Sequence, residues 1–156
     1  MILAVTGHRP DKLGGYSKQV DERLRDLAYD YLHMDNYEQV LTGMALGWDT
    51  AVAEACARSG VPFVAVLPFK GQELRWAETH QQRYRALLQK AKRVHYPSPG
   101  GGYAPWKFQA RNIWMVNHCD KLCALWDGSS GGTANCVKYA ASIGRATDNL
   151  WDQWLQ

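Results

Sequence analysis

The residues best suited to chemistry in this sequence form a glycine-rich stretch between an apolar run and an alanine-rich segment. The apolar run, Leu122 to Trp126, is followed by Asp127-Gly128-Ser129-Ser130-Gly131-Gly132-Thr133. A strand, a glycine-rich turn and a helix N-terminus, in that order, present unpaired backbone N–H groups and the positive end of a helix dipole. Glycines let a ligand approach the backbone, and the serine and threonine hydroxyls add donors. The stretch predicts an anion-binding loop, although an ordinary glycine-rich turn has the same composition.

A second candidate loop follows the strand predicted at residues 2–6, which is short, apolar and partly β-branched. The loop reads Gly7-His8-Arg9-Pro10, where glycine and proline end the strand. Arg9 is a candidate clamp for a phosphate or carboxylate, since a planar guanidinium binds oxyanions through two hydrogen bonds. His8 is a candidate general acid or base because histidine titrates near neutral pH. A histidine that is simply hydrogen-bonded within the loop is the alternative.

A third loop, Gly43-Met44-Ala45-Leu46-Gly47-Trp48-Asp49, follows the strand predicted at residues 39–42. Asp49 stands where a helix is predicted to begin, so it is a candidate N-cap or first-turn acid. The alternatives are that Asp49 holds a ribose hydroxyl or orients Arg9. For Arg9, in turn, an ion pair with Asp11 or Asp49 competes with binding of a ligand.

Two more charged residues belong to the candidate site. Asp127 ends its strand beside the glycine-rich loop, where a contact with ribose or metal competes with plain hydrogen bonding in the loop. Arg111 falls in a predicted helix, where a surface charge is the default and phosphate binding is the alternative. If the protein is an enzyme, the candidate catalytic residues are His8, Asp49 and Asp127.

Short apolar runs alternate with helical patterns along the whole chain. Strands are predicted at residues 2–6, 39–42, 62–67, 93–96 and 122–126, with a last strand or a packed tail at 149–155. Helices are predicted from the N-cap Ser17, at 50–59, after Pro68, at 106–118 and at 133–143. This βαβ series predicts an α/β fold with a Rossmann-like, mostly parallel sheet of five or six strands and helices on both faces. In such sheets ligands bind beyond the carboxyl ends of the strands, so the three loops are expected to meet.

For the long helix predicted after Pro68, the sequence also predicts which residues face the core. Its inward face is predicted from residues at helical spacing, namely Leu74, Ala77, Gln81, Tyr84, Leu88 and Ala91.

Length and composition limit the functional classes. The 156 residues fit a single domain over 1–156, and a formal net charge of +3 is too small to indicate a nucleic acid partner. The four cysteines show no CxxC pair and no ligand-like spacing with histidines, which predicts reduced thiols and no metal site. No signal peptide or membrane-length apolar run is present, so we expect a cytoplasmic protein without a membrane partner.

The three loops together resemble the SLOG superfamily, and more narrowly its YpsA-like, DUF1273-type members, some of which occur in phages. The resemblance is carried by Thr6-Gly7-His8-Arg9-Pro10, by Thr42 to Asp49, and by Asp120 through Gly132-Thr133. It covers nearly the whole chain in order. It implies a Rossmann-like fold and a nucleotide-derived ligand. The superfamily also includes the DNA-processing protein DprA and the LOG phosphoribohydrolases.

The resemblance also implies ligand positions within the three loops. With neighbouring residues added, the candidate ligand-binding set is Thr6, Gly7, His8, Arg9, Gly43, Met44, Ala45, Gly47, Trp48, Asp49, Arg111, Asp127, Gly128, Ser129, Ser130, Gly131, Gly132 and Thr133. Arg111 and Met115 match the spacing of an arginine and a methionine in the LOG enzymes. Cys136 stands where those enzymes carry a catalytic glutamate, which favours a binding protein over an enzyme.

The sequence therefore predicts a protein that binds a nucleotide-derived small molecule, of the NAD, ADP-ribose or cyclic nucleotide class, to sense or sequester it. No cofactor is expected to be required, and a homo-oligomer is expected. Two alternatives remain open at this point. One is a LOG-like N-glycosidic hydrolase or another nucleotide hydrolase, and the other is DprA-like handling of single-stranded DNA.

Overall fold

The apolar runs form one parallel six-stranded sheet in the computed structural model, which describes residues 1–156. The strands are β1 (Ile2–Gly7), β2 (Gln39–Thr42), β3 (Phe63–Val66), β4 (Arg93–His95), β5 (Lys121–Leu125) and β6 (Ala146–Asn149). The helices are α1 (Lys18–Leu32), α2 (Trp48–Ser59), α3 (Glu78–Lys90), α4 (Trp106–Asn117), α5 (Gly132–Ser142) and α6 (Trp151–Leu155), with a 3₁₀ turn at Pro10–Lys12. None of these helices is long and apolar enough to cross a lipid bilayer.

The order of the strands changes direction at β1. The sheet runs β4-β3-β2-β1-β5-β6, and every neighbouring pair is parallel. The chain moves outward from β1 to β4, then returns through α4 to place β5 on the other side of β1. Loops that leave β1 and β5 therefore diverge and open a crevice at their carboxyl ends, which is where ligands bind in open α/β sheets.

Helices cover both faces of the sheet, so its central strands are buried on both sides. Along β1, Leu3 and Val5 belong to the larger apolar cluster, which includes residues of α1, α2, α3 and α6. Ala4, between them, belongs to a second cluster with Met115 of α4 and Ala140 of α5. Side chains of a strand alternate between faces, and here each face meets its own layer of helices. The predicted fold class is confirmed.

Local signals place several helix ends as predicted. The Ser17 hydroxyl caps α1 by accepting the backbone N–H of Val20 at 3.2 Å. Gly60 ends α2 in the left-handed conformation, with φ of 73°. A residue without Cβ adopts this conformation at little cost, which is why glycine so often ends a helix.

The predicted inward face of the helix after Pro68 is wrong at its first two residues, Leu74 and Ala77, which both lie before the helix and are exposed. Helix α3 begins only at Glu78, and Leu74 lies in the preceding turns with 64% of its surface exposed. Gly71 has φ of 92° and its carbonyl accepts the N–H of Leu74, so the chain turns here instead of entering a helix. The buried residues of α3 are Tyr84 and Leu87.

The end of the chain also differs from the prediction. The last strand, β6, lies at Ala146–Asn149, and the region predicted as a strand or packed tail at 149–155 is mostly the short helix α6. Trp154 of α6 is buried, and its carbonyl accepts a hydrogen bond from Arg23 Nη2 at 2.7 Å. The tail is therefore docked against α1, which agrees with the packed tail that was one of the two predicted alternatives.

Candidate functional site

A cleft of about 370 Å³ opens where β1 and β5 diverge. It brings together eleven of the predicted positions, Thr6, Gly7, His8, Arg9, Ala45, Asp49, Arg111, Ser130, Gly131, Gly132 and Thr133. These residues come from the end of β1 and the loop after it, from the loop after β2 and the start of α2, from α4, and from the loop before α5 with the first turn of α5. The structure thus places parts of all three glycine-bearing loops around one cavity.

The N-terminus of α5 supplies free donors to the cleft. Its N-cap residue, Gly131, has φ of 139°, and no side chain caps the helix. Asn135 is the first residue whose N–H is bonded along the helix, to the Gly131 carbonyl at 3.0 Å. The N–H groups of Gly132, Thr133 and Ala134 therefore remain available beside the positive end of the helix dipole. This arrangement suits an anionic group.

Arg9 is exposed at the cleft and forms no ion pair within 4.0 Å. The ion pair with Asp11 or Asp49 that the sequence left open is not formed. Lys12, which follows on the 3₁₀ turn, donates from Nζ to the Ser129 hydroxyl at 2.7 Å. The cleft therefore carries a guanidinium whose charge no protein carboxylate neutralises by direct contact.

Arg111 extends from α4 into the base of the cleft and is almost fully buried. Its Nη1 donates to the Gly43 carbonyl at 2.8 Å, and its Nε donates to the Asn112 side chain at 2.9 Å. Burial lowers the pKa of Arg111, an effect opposed mainly by the nearby Asp49. Two of its three nitrogens thus bind the protein, so Arg111 joins α4 to the end of β2 in addition to contributing charge.

Asp49 is the buried carboxylate of the site, with 5% of its surface exposed. One oxygen, Oδ2, accepts the Ala45 N–H at 3.3 Å, and the other has no hydrogen-bond partner. Asp49 lies in the first turn of α2, whose N-cap is Gly47. Burial raises the pKa of Asp49 to about 6, and Arg111, the Ala45 N–H and Arg9 act in the opposite direction. The cleft thus contains a carboxyl group that titrates unusually close to neutrality.

His8 and Asp127 form a pair at the edge of the glycine-rich loop. His8 Nε2 lies 2.8 Å from Asp127 Oδ1 and 3.0 Å from the Asp127 backbone nitrogen. A protonated Nε2 donates to the carboxylate, whereas an unprotonated one accepts the backbone N–H, so the tautomer selects the contact. The pKa of Asp127 is lowered mainly by the hydroxyl and N–H of Ser129, and secondarily by His8. Asp127 therefore orders the loop and does not line the cleft.

Seven predicted ligand positions lie outside the cleft lining, namely Gly43, Met44, Gly47, Trp48, Asp127, Gly128 and Ser129. Trp48 is fully buried beneath Gly7, where an added Cβ would lie 2.5 Å from its ring. At Gly47 the φ is 94°, and a Cβ would lie 2.5 Å from the His8 carbonyl oxygen. Gly47 and Trp48 thus pack the loops after β1 and β2 against each other beneath the cleft.

Five lining residues were absent from the predicted set, namely Asp11, Lys12, Phe108, Asn112 and Ala134. Phe108 and Asn112 lie three residues before and one residue after Arg111 on α4, so the helical period around that arginine was the signal that identifies Phe108. Asp11 and Lys12 return to the cleft through a 3₁₀ turn that begins at Pro10. No group of three or more histidine, cysteine, aspartate and glutamate side chains forms a metal-ligating arrangement.

Cys136 occupies the position to which the resemblance assigns a catalytic glutamate. It is fully buried in the cluster beneath α4 and α5 and does not line the cleft. Burial raises the pKa of its thiol to about 12, so the thiol stays protonated at neutral pH. The side chain at this position contributes packing, not a charge, to the site.

Comparison with known proteins identifies the family. The sequence model of the YspA SLOG family matches residues 3–149. The chain belongs to the YspA SLOG family. Among relatives, it is 27% identical over 137 residues to the uncharacterized SPbeta prophage-derived protein YoqJ of Bacillus subtilis, covering 78% of this chain and 80% of YoqJ. It is also 27% identical over an alignment of 162 positions to a UPF0398 protein of Bacillus velezensis. This alignment covers 94% of this chain and 86% of the relative.

Solved structures similar to this YspA SLOG protein share its fold. DNA processing protein A (DprA) from Streptococcus pneumoniae has a TM-score of 0.67 at 21% identity, over 93% of this chain and 48% of DprA. DprA from Helicobacter pylori, described with a single-stranded DNA binding mode, has a TM-score of 0.66 at 14% identity. The match covers 94% of this chain and 63% of that DprA chain. The molybdenum cofactor binding protein of Rippkaea orientalis has a TM-score of 0.59 at 18% identity. The match covers 99% of this chain and 80% of that protein. The chain thus spans about half to two thirds of the length of the DprA chains.

Proposed function

We propose that this YspA SLOG protein binds a nucleotide-derived small molecule whose phosphate lies at the N-terminus of α5. The observation that carries the proposal is the uncapped first turn of α5, whose free N–H groups face the same cleft as the unpaired Arg9. Backbone N–H groups, a helix dipole and a free guanidinium together favour a compact, doubly charged anion such as a phosphate.

The charges around the cleft support an anionic ligand. Three cations line it, Arg9, Lys12 and Arg111, against two carboxylates, Asp11 and Asp49. Lys12 lies on the glycine-rich loop side of the site, since it bonds to Ser129 in that loop, and Arg9 lines the same cleft. Asp49 lies deep in the cleft, where a carboxylate can accept hydrogen bonds from sugar hydroxyls. Phosphate near Arg9 and sugar near Asp49 is therefore the orientation that we propose.

The size of the cleft is compatible with a nucleotide. Its 370 Å³ lies at the lower end of the ~300–1,000 Å³ typical of small-molecule sites. The similarity in fold to a molybdenum cofactor binding protein supports a small-molecule ligand in this type of cleft. NAD, ADP-ribose and cyclic nucleotides are the classes that we propose, bound either to sense or to sequester them.

A thermal-shift screen tests the proposal directly. Purified protein is heated with NAD, ADP-ribose, AMP and cyclic dinucleotides, and each mixture is then separated by chromatography. A ligand at a hundred times its dissociation constant is expected to raise the free energy of unfolding by ~2.7 kcal/mol. Recovery of the ligand intact indicates binding, whereas recovery as products indicates a nucleotide hydrolase.

The Arg9→Ala variant provides the specific prediction. Loss of a hydrogen bond between charged groups costs ~1.5–3 kcal/mol, so affinity is expected to fall about tenfold or more. Arg93→Ala is the matched control, because Arg93 is also exposed but lies at the amino end of β4, away from the cleft. Equal affinities of the two variants would contradict a phosphate contact by Arg9.

Single-stranded DNA is a second candidate ligand. The expectation that nucleic acid is not a partner is not supported by the comparisons, because two similar folds belong to DprA and one of them is described with a single-stranded DNA binding mode. Fluorescence anisotropy of a labelled oligonucleotide at several salt concentrations tests this candidate. Binding that weakens steeply with salt would favour DNA, since neutralised phosphates release counterions.

A further inference from the structure

An aromatic group borders the cleft on the side of α4. Phe108, half-buried in the first turn of α4, lines the cleft itself. Phe69, from the segment after β3, packs at right angles to Phe108, with ring centroids 5.6 Å apart. Phe69 also packs at right angles to Tyr103, at 5.7 Å. The three rings form one contiguous aromatic cluster, with Phe69 buried between Phe108 in the lining of the cleft and Tyr103 in the loop before α4.

Tyr103 is the outermost ring of this group, and 70% of it is exposed. Its position is nevertheless fixed by more than its contact with Phe69. The preceding residues, Gly101 and Gly102, offer their carbonyl oxygens to Lys107 Nζ at 3.4 and 2.9 Å. Lys107 is buried, so its ammonium group is held against these carbonyls and ties the loop to α4. A large exposed ring is thus held in place by a buried cation and by a neighbouring aromatic ring.

The loop before Tyr103 is open on its glycine side. A Cβ added at Gly100, Gly101 or Gly102 would meet no atom within 4 Å. Trp106, the next aromatic residue along the chain, is exposed as well. Tyr103 and Trp106 are thus exposed beside three consecutive glycines. A flat molecule has room to lie against the Tyr103 ring.

We propose that Tyr103 is a stacking platform for a nucleobase whose phosphate lies at the N-terminus of α5. The proposal rests on the proposed function, because it assigns the second end of the same ligand. Phe108 connects the two ends, since it lines the cleft and lies with its ring centroid 6.3 Å from that of Tyr103. The chemistry recognised is a planar heteroaromatic ring joined to phosphate, and it is present both in free nucleotides and in single-stranded nucleic acid.

Paired probes separate the platform from the phosphate site. AMP and ribose 5-phosphate both carry the phosphate, but only AMP carries a base. Tyr103→Ala is expected to weaken AMP binding about tenfold, within the range measured for base–aromatic stacking, and to leave ribose 5-phosphate affinity unchanged. Tyr103→Trp is expected to retain AMP affinity, because it keeps a flat ring at this position.

The controls assign each outcome to one proposal. Tyr16→Ala removes a tyrosine of similar exposure that borders a different cavity, and it is expected to change neither affinity. Equal effects of Tyr103→Ala on both probes, or no effect on any base-bearing probe, would overturn the platform while leaving the phosphate site in place. Absence of binding of AMP, ribose 5-phosphate and oligonucleotide by the unmodified protein would overturn the proposed function and the platform with it.

A labelled oligothymidylate identifies the source of the base. A larger loss of affinity for the oligonucleotide than for AMP on Tyr103→Ala would assign the platform to a nucleic acid strand. The reverse result would assign it to a free nucleotide. Both results support stacking at Tyr103, and melting temperatures equal to that of the unmodified protein show that the variants remain folded.

Discussion

Asp49 shows how one residue can have an energetic cost that its sequence position does not reveal. An aspartate that opens a helix after a glycine is usually exposed, and its negative charge there interacts favourably with the positive end of the helix dipole. Here the carboxylate is buried, one oxygen lacks a partner, and no ion pair compensates its charge. The same burial makes the group a strong acceptor for a ligand hydroxyl, so its cost to folding and its proposed role in binding share one cause.

The stability of the protein is expected to depend on pH through Asp49. Its pKa is raised from about 4 in the unfolded chain to about 6 in the folded protein, so the folded state binds more protons between these values. The contribution of Asp49 to stability is therefore fully present below pH 4 and is lost as pH rises through 6. Asp49→Asn removes this dependence, so its stability relative to the unmodified protein should increase by ~2 kcal/mol from pH 4 to pH 7.

Urea unfolding at several pH values measures this difference. Asp127→Asn serves as the contrasting variant, because the pKa of Asp127 is lowered and its loss should act in the opposite sense. A difference between Asp49→Asn and the unmodified protein that does not change with pH would contradict a raised pKa at Asp49.

At the scale of elements, the loops are packed by glycines that no ligand needs to touch. Gly7, Gly43 and Gly47 each approach another part of the site so closely that a Cβ would overlap it. The neighbours are the Trp48 ring, the Arg111 guanidinium and the His8 carbonyl. Gly7, at the end of β1, and Gly43 and Gly47, in the loop after β2, therefore set the positions of the residues that form the cleft, whereas Gly131 and Gly132 face open space.

Gly7→Ala is expected to destabilise the fold. Its Cβ would lie 2.5 Å from Trp48 Cδ1, and this indole is fully buried and has no room to move. Overpacking of this kind typically costs ~1–3 kcal/mol, measurable by urea or thermal unfolding. Gly101→Ala is the matched control, since a Cβ there meets nothing within 4 Å, and it should change stability by less than ~0.5 kcal/mol. A small effect at Gly7 would show that β1 and α2 can separate locally.

The sequence predicted most elements because their signals are local. Apolar runs such as Val64 to Leu67 and the pattern of Leu24 and Ala28 require no knowledge of distant residues. Leu74 was misassigned because helical spacing continues backwards through a segment that tertiary contacts hold in turns. Gln72 in that segment donates to the Gly43 carbonyl at 3.1 Å, a contact with a loop 29 residues away. Such contacts cannot be predicted from periodicity.

The same distinction applies to the site. Loops that follow strands were predicted to converge because parallel strands end at one edge of the sheet, and eleven predicted residues do line the cleft. What the pattern could not show is how deep each side chain lies. Trp48 and Asp49 are adjacent, yet one is in the core and the other reaches the cleft. Depth depends on how the layers pack, and this is set by the whole fold.

At the scale of the molecule, the site depends on the order of the strands. β1 stands between β2 and β5, and the chain reaches β5 only after forming β3, β4 and α4. The uncapped N-terminus of α5, the buried carboxylate and the aromatic group therefore come from segments that lie far apart along the chain. The cleft is a property of the assembled sheet, and no isolated segment of the protein contains it.

That separation along the chain links ligand occupancy to the cooperativity of folding. The cleft gathers residues from Thr6 to Ala134, so any opening that detaches β1, α2, α4 or α5 destroys it. A bound ligand is then expected to slow hydrogen exchange in β1, β5 and the helices that line the cleft, because opening of these elements requires states that cannot hold it. The ligand would lower the population of partly unfolded states. The unfolding transition would then become more cooperative.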